Sequence, residues 1–263
     1  MKLNLVPART GVSWVRTGLK TFFRQPLAFI SLFFFFMAVV SIASLIPFLG
    51  TVLALMLLPS MTLGLMAAAA EAAGPEKPMA GAVFKAAIHA VRSDVRPMMG
   101  LGALYAILFL LVMAISAIAD GGEFARIYLM GEPLTREVAE KTEFQVAVWI
   151  AMGLYLPLSL AFWHAPALVH WHRVPPAKSL FFSFVACFKN FGALSLFGLA
   201  WFGVFIGVGI VLSIVASLMV AVGGGDGGTT AASGAVMLGG ALVMAAMFFT
   251  STWFTFRDSF NPN

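Results

Sequence analysis

An all-helical, polytopic membrane bundle of six transmembrane helices is the fold class this sequence predicts. Three observations carry that expectation. Apolar residues make up 61% of the chain and charged residues 10%. Six uncharged apolar stretches are each long enough to cross a bilayer. The basic residues gather in alternate connections between those stretches. A soluble domain averages about 45–50% apolar and about 25% charged residues. A surface this poor in charge would aggregate in water, whereas lipid matches it.

A span requires roughly 20 apolar residues, because the hydrocarbon core is about 30 Å thick. The qualifying stretches are 27–46, 49–70, 98–118, 147–170, 191–222 and 234–256. None contains Asp, Glu, Lys or Arg, as expected when a charge at the bilayer centre costs about 2.5–3.5 kcal/mol on insertion scales. The first stretch follows a segment too long and too mixed for a secretory leader, so it reads as an uncleaved anchor. The fifth is long enough to tilt or to extend into the interface.

Orientation follows from the basic residues. Lys2, Arg9, Arg16, Lys20 and Arg24 precede the first span; Lys77, Lys85, Arg92 and Arg96 lie in the second connection. Arg173, Lys178 and Lys189 lie in the fourth connection and Arg257 in the tail. The opposite side carries only Arg126, Arg136 and Lys141 among seven acids. The positive-inside rule therefore places both termini in the cytoplasm, in agreement with an even number of spans. A net charge of +5 is thereby explained by topology, and nucleic acid is not an expected partner.

On the outer side, Pro47-Phe48-Leu49-Gly50 predicts a tight turn, and Asp120-Gly121-Gly122 opens the longest connection with another. Glu137, Glu140 and Glu143 recur every three residues there, as on a solvated helix face. The glycine-rich run around Asp226 predicts a flexible turn, since one carboxylate is too few ligands for calcium.

The inner side shows a threefold pattern that divides the chain into units of about 1–72, 73–172 and 173–257. Each unit opens with a proline-containing stretch, continues with a short amphipathic segment, and then enters a hairpin of two spans. In the first, Val12, Val15, Leu19 and Phe22 share a face, with Arg16, Lys20 and Arg24 on another. In the second, Val83, Ala87, Val91 and Val95 recur every four residues, with Lys85, His89 and Arg92 opposite. In the third, Phe181, Phe184, Val185 and Phe188 form the apolar face. Apolar residues backed by cations are the signature of a helix lying in the membrane interface. Arg9, Arg16, Lys20, Arg24, Lys85, Arg92, Lys178 and Lys189 are accordingly the expected contacts to anionic lipid head groups, at about 1 kcal/mol each.

Prolines interrupt two spans. Pro59 stands in the second, and Pro157 and Pro166 in the fourth. Proline removes a backbone donor and clashes with the preceding turn, so kinks are expected. Pro59, Tyr155, Pro157, Ser159, Trp163, His164 and Pro166 are the residues that would mark those kinks or line a cavity beside them. The serine and threonine hydroxyls have the alternative of bonding to their own helix carbonyls. His164, His170 and His172 do not have the spacing of a metal-binding HExxH helix, and no metal or other cofactor is expected. The sequence has no GxSxG elbow, no Walker motif and no dinucleotide fingerprint. Cys187 is the only cysteine, which excludes an intrachain disulfide framework and suits an apolar contact.

Several blocks carry a resemblance. They are Val6-Pro7-Ala8-Arg9 with Gly11 and Trp14, Gln25-Pro26-Leu27, Asp120-Gly121-Gly122, Trp163-x-Ala165-Pro166-Ala167-Leu168, and Lys178-x-Leu180-Phe181-Phe182-Ser183-Phe184-x-Ala186-Cys187. In these the chain resembles an uncharacterised group of proteobacterial six-span inner-membrane proteins, over nearly its whole length. It is more loosely similar to other bacterial membrane families, some of which are attached to glycerophosphodiester phosphodiesterases. The resemblance implies a bacterial inner-membrane location and no catalytic residues. The expected function is that of a non-enzymatic membrane protein organising lipid, a protein partner or both. The alternative is a carrier or exporter of a small or lipid-like molecule, with a cavity near spans 2 and 4.

Overall fold

The computed structural model describes residues 2–47, 49–76, 78–225 and 227–260. Phe48, Lys77 and Asp226, which fall in three of the predicted connections, lie outside the described residues. The described chain is helical, in the order α1 (Thr10–Phe22), α2 (Pro26–Ser44), α3 (Gly50–Ala72), α4 (Ala80–Ser93), α5 (Val95–Asp120), α6 (Glu123–Met130), α7 (Arg136–Glu140), α8 (Thr142–Trp163), α9 (Ala165–His172), α10 (Pro176–Lys189), α11 (Phe191–Val222) and α12 (Gly227–Phe260). Among the described residues, six segments are long and apolar enough to cross a membrane: α2, α3, α5, α8 continued by α9, α11 and α12. The short helices α1, α4 and α10 stand immediately before α2, α5 and α11.

The chain forms two compact units, and each draws on all three of the successive segments read from the sequence. The first comprises 1–35, 64–89 and 189–263; the second comprises 36–63 and 90–188.

In the first unit α1 packs against both α11 and α12. Its buried face is Gly11, Trp14, Val15, Gly18, Thr21 and Phe22, whereas Val12 is exposed. Val15 and Phe22 of the face read from apolar periodicity are buried and Leu19 is half-buried; the packed face is turned from Val12 toward Gly11 and Gly18, and the reason is steric. A Cβ on Gly11 would lie 2.1 Å from the Ala193 carbonyl oxygen of α11, and one on Gly18 would lie 2.3 Å from Ser251 Cβ of α12. Backbone-close contact requires the smallest residue, so glycines rather than greasier neighbours choose the packed face. Trp14 fills the space between them. Its indole Nε1 donates to Asp258 Oδ2 at 2.8 Å, and its ring meets Phe197 edge-on.

The polypeptide before α1 is pinned to the same place. Asn190, buried at the start of α11, accepts from the Val6 amide at 3.0 Å and donates to the Asn4 carbonyl at 3.0 Å and to Ser259 Oγ at 3.2 Å. Arg24 donates to the carbonyls of Ala72 (2.7 Å) and Gly74 (2.6 Å), so it caps α3. Beyond Trp201 no residue of α11 is buried, and in α12 the buried run starts at Ala246, Ser233 aside. The hairpin thus has a packed base and a long lipid-facing shaft.

In the second unit α5 packs along α8. Gly102 permits the approach of α3: a Cβ there would lie 2.1 Å from the Met56 carbonyl oxygen. Asp120 ends α5 and starts α6, its two carboxylate oxygens accepting from the amides of Gly122 (2.8 Å) and Phe124 (2.7 Å). Gly121 and Gly122 supply the positive φ of 66° and 89° that this turn needs. The connection to α8 holds α6 and α7 in place of irregular chain. Ion pairs Lys141–Glu123 (2.6 Å) and Arg136–Glu140 (2.7 Å) brace it. The Glu123 carboxylate holds Lys141 above the ordinary lysine range.

The glycines make the packing testable. Gly11→Ala and Gly102→Ala each force a methyl into backbone and are expected to cost about 1–3 kcal/mol. Gly153→Ala, in α8 with nothing within 4 Å of the added methyl, is expected to be neutral or slightly stabilising. Thermal unfolding of the three variants in one detergent gives the comparison; equal melting of all three contradicts the close-contact assignment.

Candidate functional site at the basic end of the second unit

Polar groups in the second unit concentrate where α9, α10 and the α4–α5 turn meet. The long fourth span breaks there. α8 stops at Trp163, His164 departs from helix geometry at φ −105° and ψ −8°, and α9 starts at Ala165 with Pro166 at its first turn. Proline is well accommodated at that position because its missing N–H has no helical partner in any case. In an unbroken helix the His164 amide would donate to the Leu160 carbonyl. Here the Ser183 hydroxyl of α10 stands between them: His164 N–H donates to Ser183 Oγ at 2.9 Å, and Ser183 Oγ–H donates to Leu160 O at 2.8 Å. A side chain 19 residues away replaces one rung of the ladder.

At the other end of α9 lies Asp94, an acid that the sequence places in a basic connection without a role. Its side chain is buried. One carboxylate oxygen meets His170 Nδ1 of α9, and the other accepts from Arg173 Nη1 at 2.5 Å. A buried carboxylate is tolerated only when paired and hydrogen-bonded, and both oxygens are. The imidazole ring is oriented by the carboxylate, and the guanidinium is anchored through Nη1. The cluster ties the α4–α5 turn to the end of α9. The sequence signal for it is a lone acid between Arg92 and Arg96, which charge counting alone averages away.

The seven residues expected at kinks divide by exposure. Tyr155 and Pro157 are exposed; Ser159 and Trp163 are half-buried; Pro59, His164 and Pro166 are buried. The Ser159 hydroxyl donates to its own helix at Leu156 O (2.8 Å), and Thr62, near Pro59, donates to Leu58 O (3.0 Å). Tyr155 lies edge-on to Phe109, which also stacks with Tyr105 and meets Tyr128. All three tyrosines of a chain with 26 phenylalanines thus gather around one ring. Tyr105 and Tyr128 are partners that span-by-span reading does not bring to Tyr155. In the first unit, an open groove of about 710 Å³ runs along the lipid-facing side of α11, lined by Ile206, Gly209, Ile210, Ser213, Ile214, Ser217, Leu218 and Ala221.

Of the basic residues expected to face head groups, Arg9, Arg16, Lys20, Lys85, Arg92, Lys178 and Lys189 are exposed. Arg24 is half-buried and engaged in capping α3. α10 also turns Phe181, Phe184 and Phe188 outward, so its apolar face looks away from the protein. Its other face is buried through Ser179, Ser183, Ala186 and Cys187.

A Burkholderia thailandensis protein named as a probable inner membrane protein is 38% identical to the chain over 225 residues, which cover 85% of this chain and 82% of that protein. No family model matches the chain. No solved structure matches it either.

Two outcomes test the site. Ser183→Ala leaves the His164 N–H and the Leu160 C=O without the inserted hydroxyl, at an expected cost of about 1–3 kcal/mol, read as a lower melting temperature. A variant that melts like the parent shows that the rung is not needed. Cys187 is fully buried, and burial pushes its thiol up to about 12, against a smaller opposing effect of the Ser183 hydrogen bond. Because the thiolate is the reactive form, Cys187 is expected to resist maleimide at neutral pH until the protein is unfolded. Rapid labelling of the folded protein contradicts that placement.

Proposed function

The chain belongs to the bacterial inner-membrane protein family of its Burkholderia relative, and within that family we propose a non-enzymatic role in organising anionic lipid, a protein partner or both at the cytoplasmic face. The observation that carries this reading is the placement of seven exposed cations, Arg9, Arg16, Lys20, Lys85, Arg92, Lys178 and Lys189, on or beside three short helices that each lead into a span. Cations at that depth attract the anionic leaflet, and the outward phenylalanines of α10 supply apolar surface for the acyl boundary. The positive-inside distribution assigns these helices to the cytoplasmic side.

A carrier reading is favoured by one feature, the interruption of the fourth span at His164, where a side-chain hydroxyl rather than a backbone group completes the ladder. Such a rung can open without breaking a regular helix. Both readings meet in one experiment. The protein is extracted with its surrounding native lipid, and everything that co-purifies is identified by native mass spectrometry. Enrichment of anionic lipid that falls in an Arg16→Gln/Lys20→Gln/Lys189→Gln variant supports the organising role. Arg24→Gln is expected to lower thermal stability with little change in lipid, because Arg24 caps α3. A stoichiometric small molecule lost on changing His164 or Tyr155 would move the assignment to a carrier.

A further inference from the structure

Arg173 occupies a backbone position that disfavours it. It follows α9 in the left-handed region at φ 53°, where helices most often place Gly because it has no Cβ. Among the described residues it is the one non-glycine with positive φ. A side chain held against conformational preference points to a use for that side chain.

The contacts indicate which use. The Asp94 side chain is only 4% exposed, with one oxygen on His170 and the other on Arg173, yet 69% of the Arg173 side chain faces outward. The guanidinium is therefore held at Nη1, with most of the side chain exposed. Pairing with Asp94 accounts for Nη1, because a buried carboxylate that loses a partner is strongly destabilised; it does not account for the outward part of the guanidinium.

The neighbourhood is cationic. Asp94 sits between Arg92 and Arg96, and the first turn of α10 carries Lys178; all three cations are exposed. A planar fork of donors, pre-oriented among further cations, matches the oxygens of a phosphate ester. About one helical turn beyond Lys178, Phe181 points outward from α10 and is 65% exposed, where an acyl chain would run.

We propose that Arg173, held in place by Asp94 and His170, binds the phosphate of an anionic phospholipid head group, with Arg92, Arg96 and Lys178 attracting it. The site rests on the lipid-organising reading and gives it a specific ligand. Asp94 and His170 are positioning residues; Arg173 makes the contact.

The full chain in nanodiscs of mixed phosphatidylglycerol and phosphatidylcholine provides the test, with retained lipid counted by native mass spectrometry. Arg173→Gly relieves the backbone but leaves one Asp94 oxygen without its arginine, so Arg173→Gly with Asp94→Asn is measured beside it, and both are expected to retain about tenfold less phosphatidylglycerol than the parent. Arg173→Lys keeps the charge without the fork and is expected to fall between them. Asp94→Asn is expected to reduce the preference for phosphatidylglycerol over phosphatidylcholine while Arg173 remains. Parent-like retention by Arg173→Gly overturns the site but leaves the organising role standing. No enrichment of phosphatidylglycerol by the parent overturns the site together with the lipid half of the organising role, leaving the protein partner. Displacement of the bound lipid by millimolar inorganic phosphate would show a site for soluble phosphate and overturn the lipid assignment.

Discussion

Inside hydrocarbon, a backbone N–H or C=O without a partner costs several kcal/mol, and the whole chain is arranged around meeting that demand. Regular helix meets it for most residues. Where helix stops, side chains take over. Ser183 fills the rung between Leu160 and His164, Arg24 donates to the carbonyls of Ala72 and Gly74 at and just past the end of α3, and Asp120 accepts from the amides of Gly122 and Phe124 at the start of α6. Each of these polar residues sits at an interruption, so its position is explained by the backbone before any ligand is invoked.

The spans and the three short helices were legible in the sequence because hydrophobicity is a local property. The six uncharged runs anticipate the six long helices to within a few residues at most ends, the last helix extending further on both sides. Contacts set by distance between segments were not legible. The periodicity of Val12, Val15, Leu19 and Phe22 measures greasiness, but the packed face of α1 follows Gly11 and Gly18, where another backbone comes close. Ser183 looks like one more hydroxyl in a phenylalanine-rich segment until it is seen beside His164. Asp94 is invisible to a charge count, since Lys85, Arg92 and Arg96 in the same connection outweigh it. Arg24 reads as one of a row of cations four residues apart, although its geometry commits it to α3.

Many residues of the blocks quoted in the sequence analysis lie at these close approaches. Val6 is held by Asn190, Gly11 and Trp14 seat α1, and Gly121 and Gly122 shape the turn after α5. Ala165, Pro166, Ala167 and Leu168 form the buried start of α9, and Ser183 and Cys187 lie on the buried face of α10. Motifs of this kind specify architecture. Such contacts are silent about chemistry, which is why the functional reading has to rest on exposed cations instead.

The packed base of the α11–α12 hairpin fixes more than the fold. In α11 only the stretch after Trp201, residues 202–222, is free of protein contacts that bury it, and at about 1.5 Å per residue this stretch measures about 30 Å, the thickness of the hydrocarbon core. The base is held as one body by hydrogen bonds between buried polar groups, Asn190 to Ser259 and Trp201 to Ser251. The hairpin is thus a ruler with one fixed end, and a bilayer of different thickness has to be met by tilt or by deformation of the lipid around it.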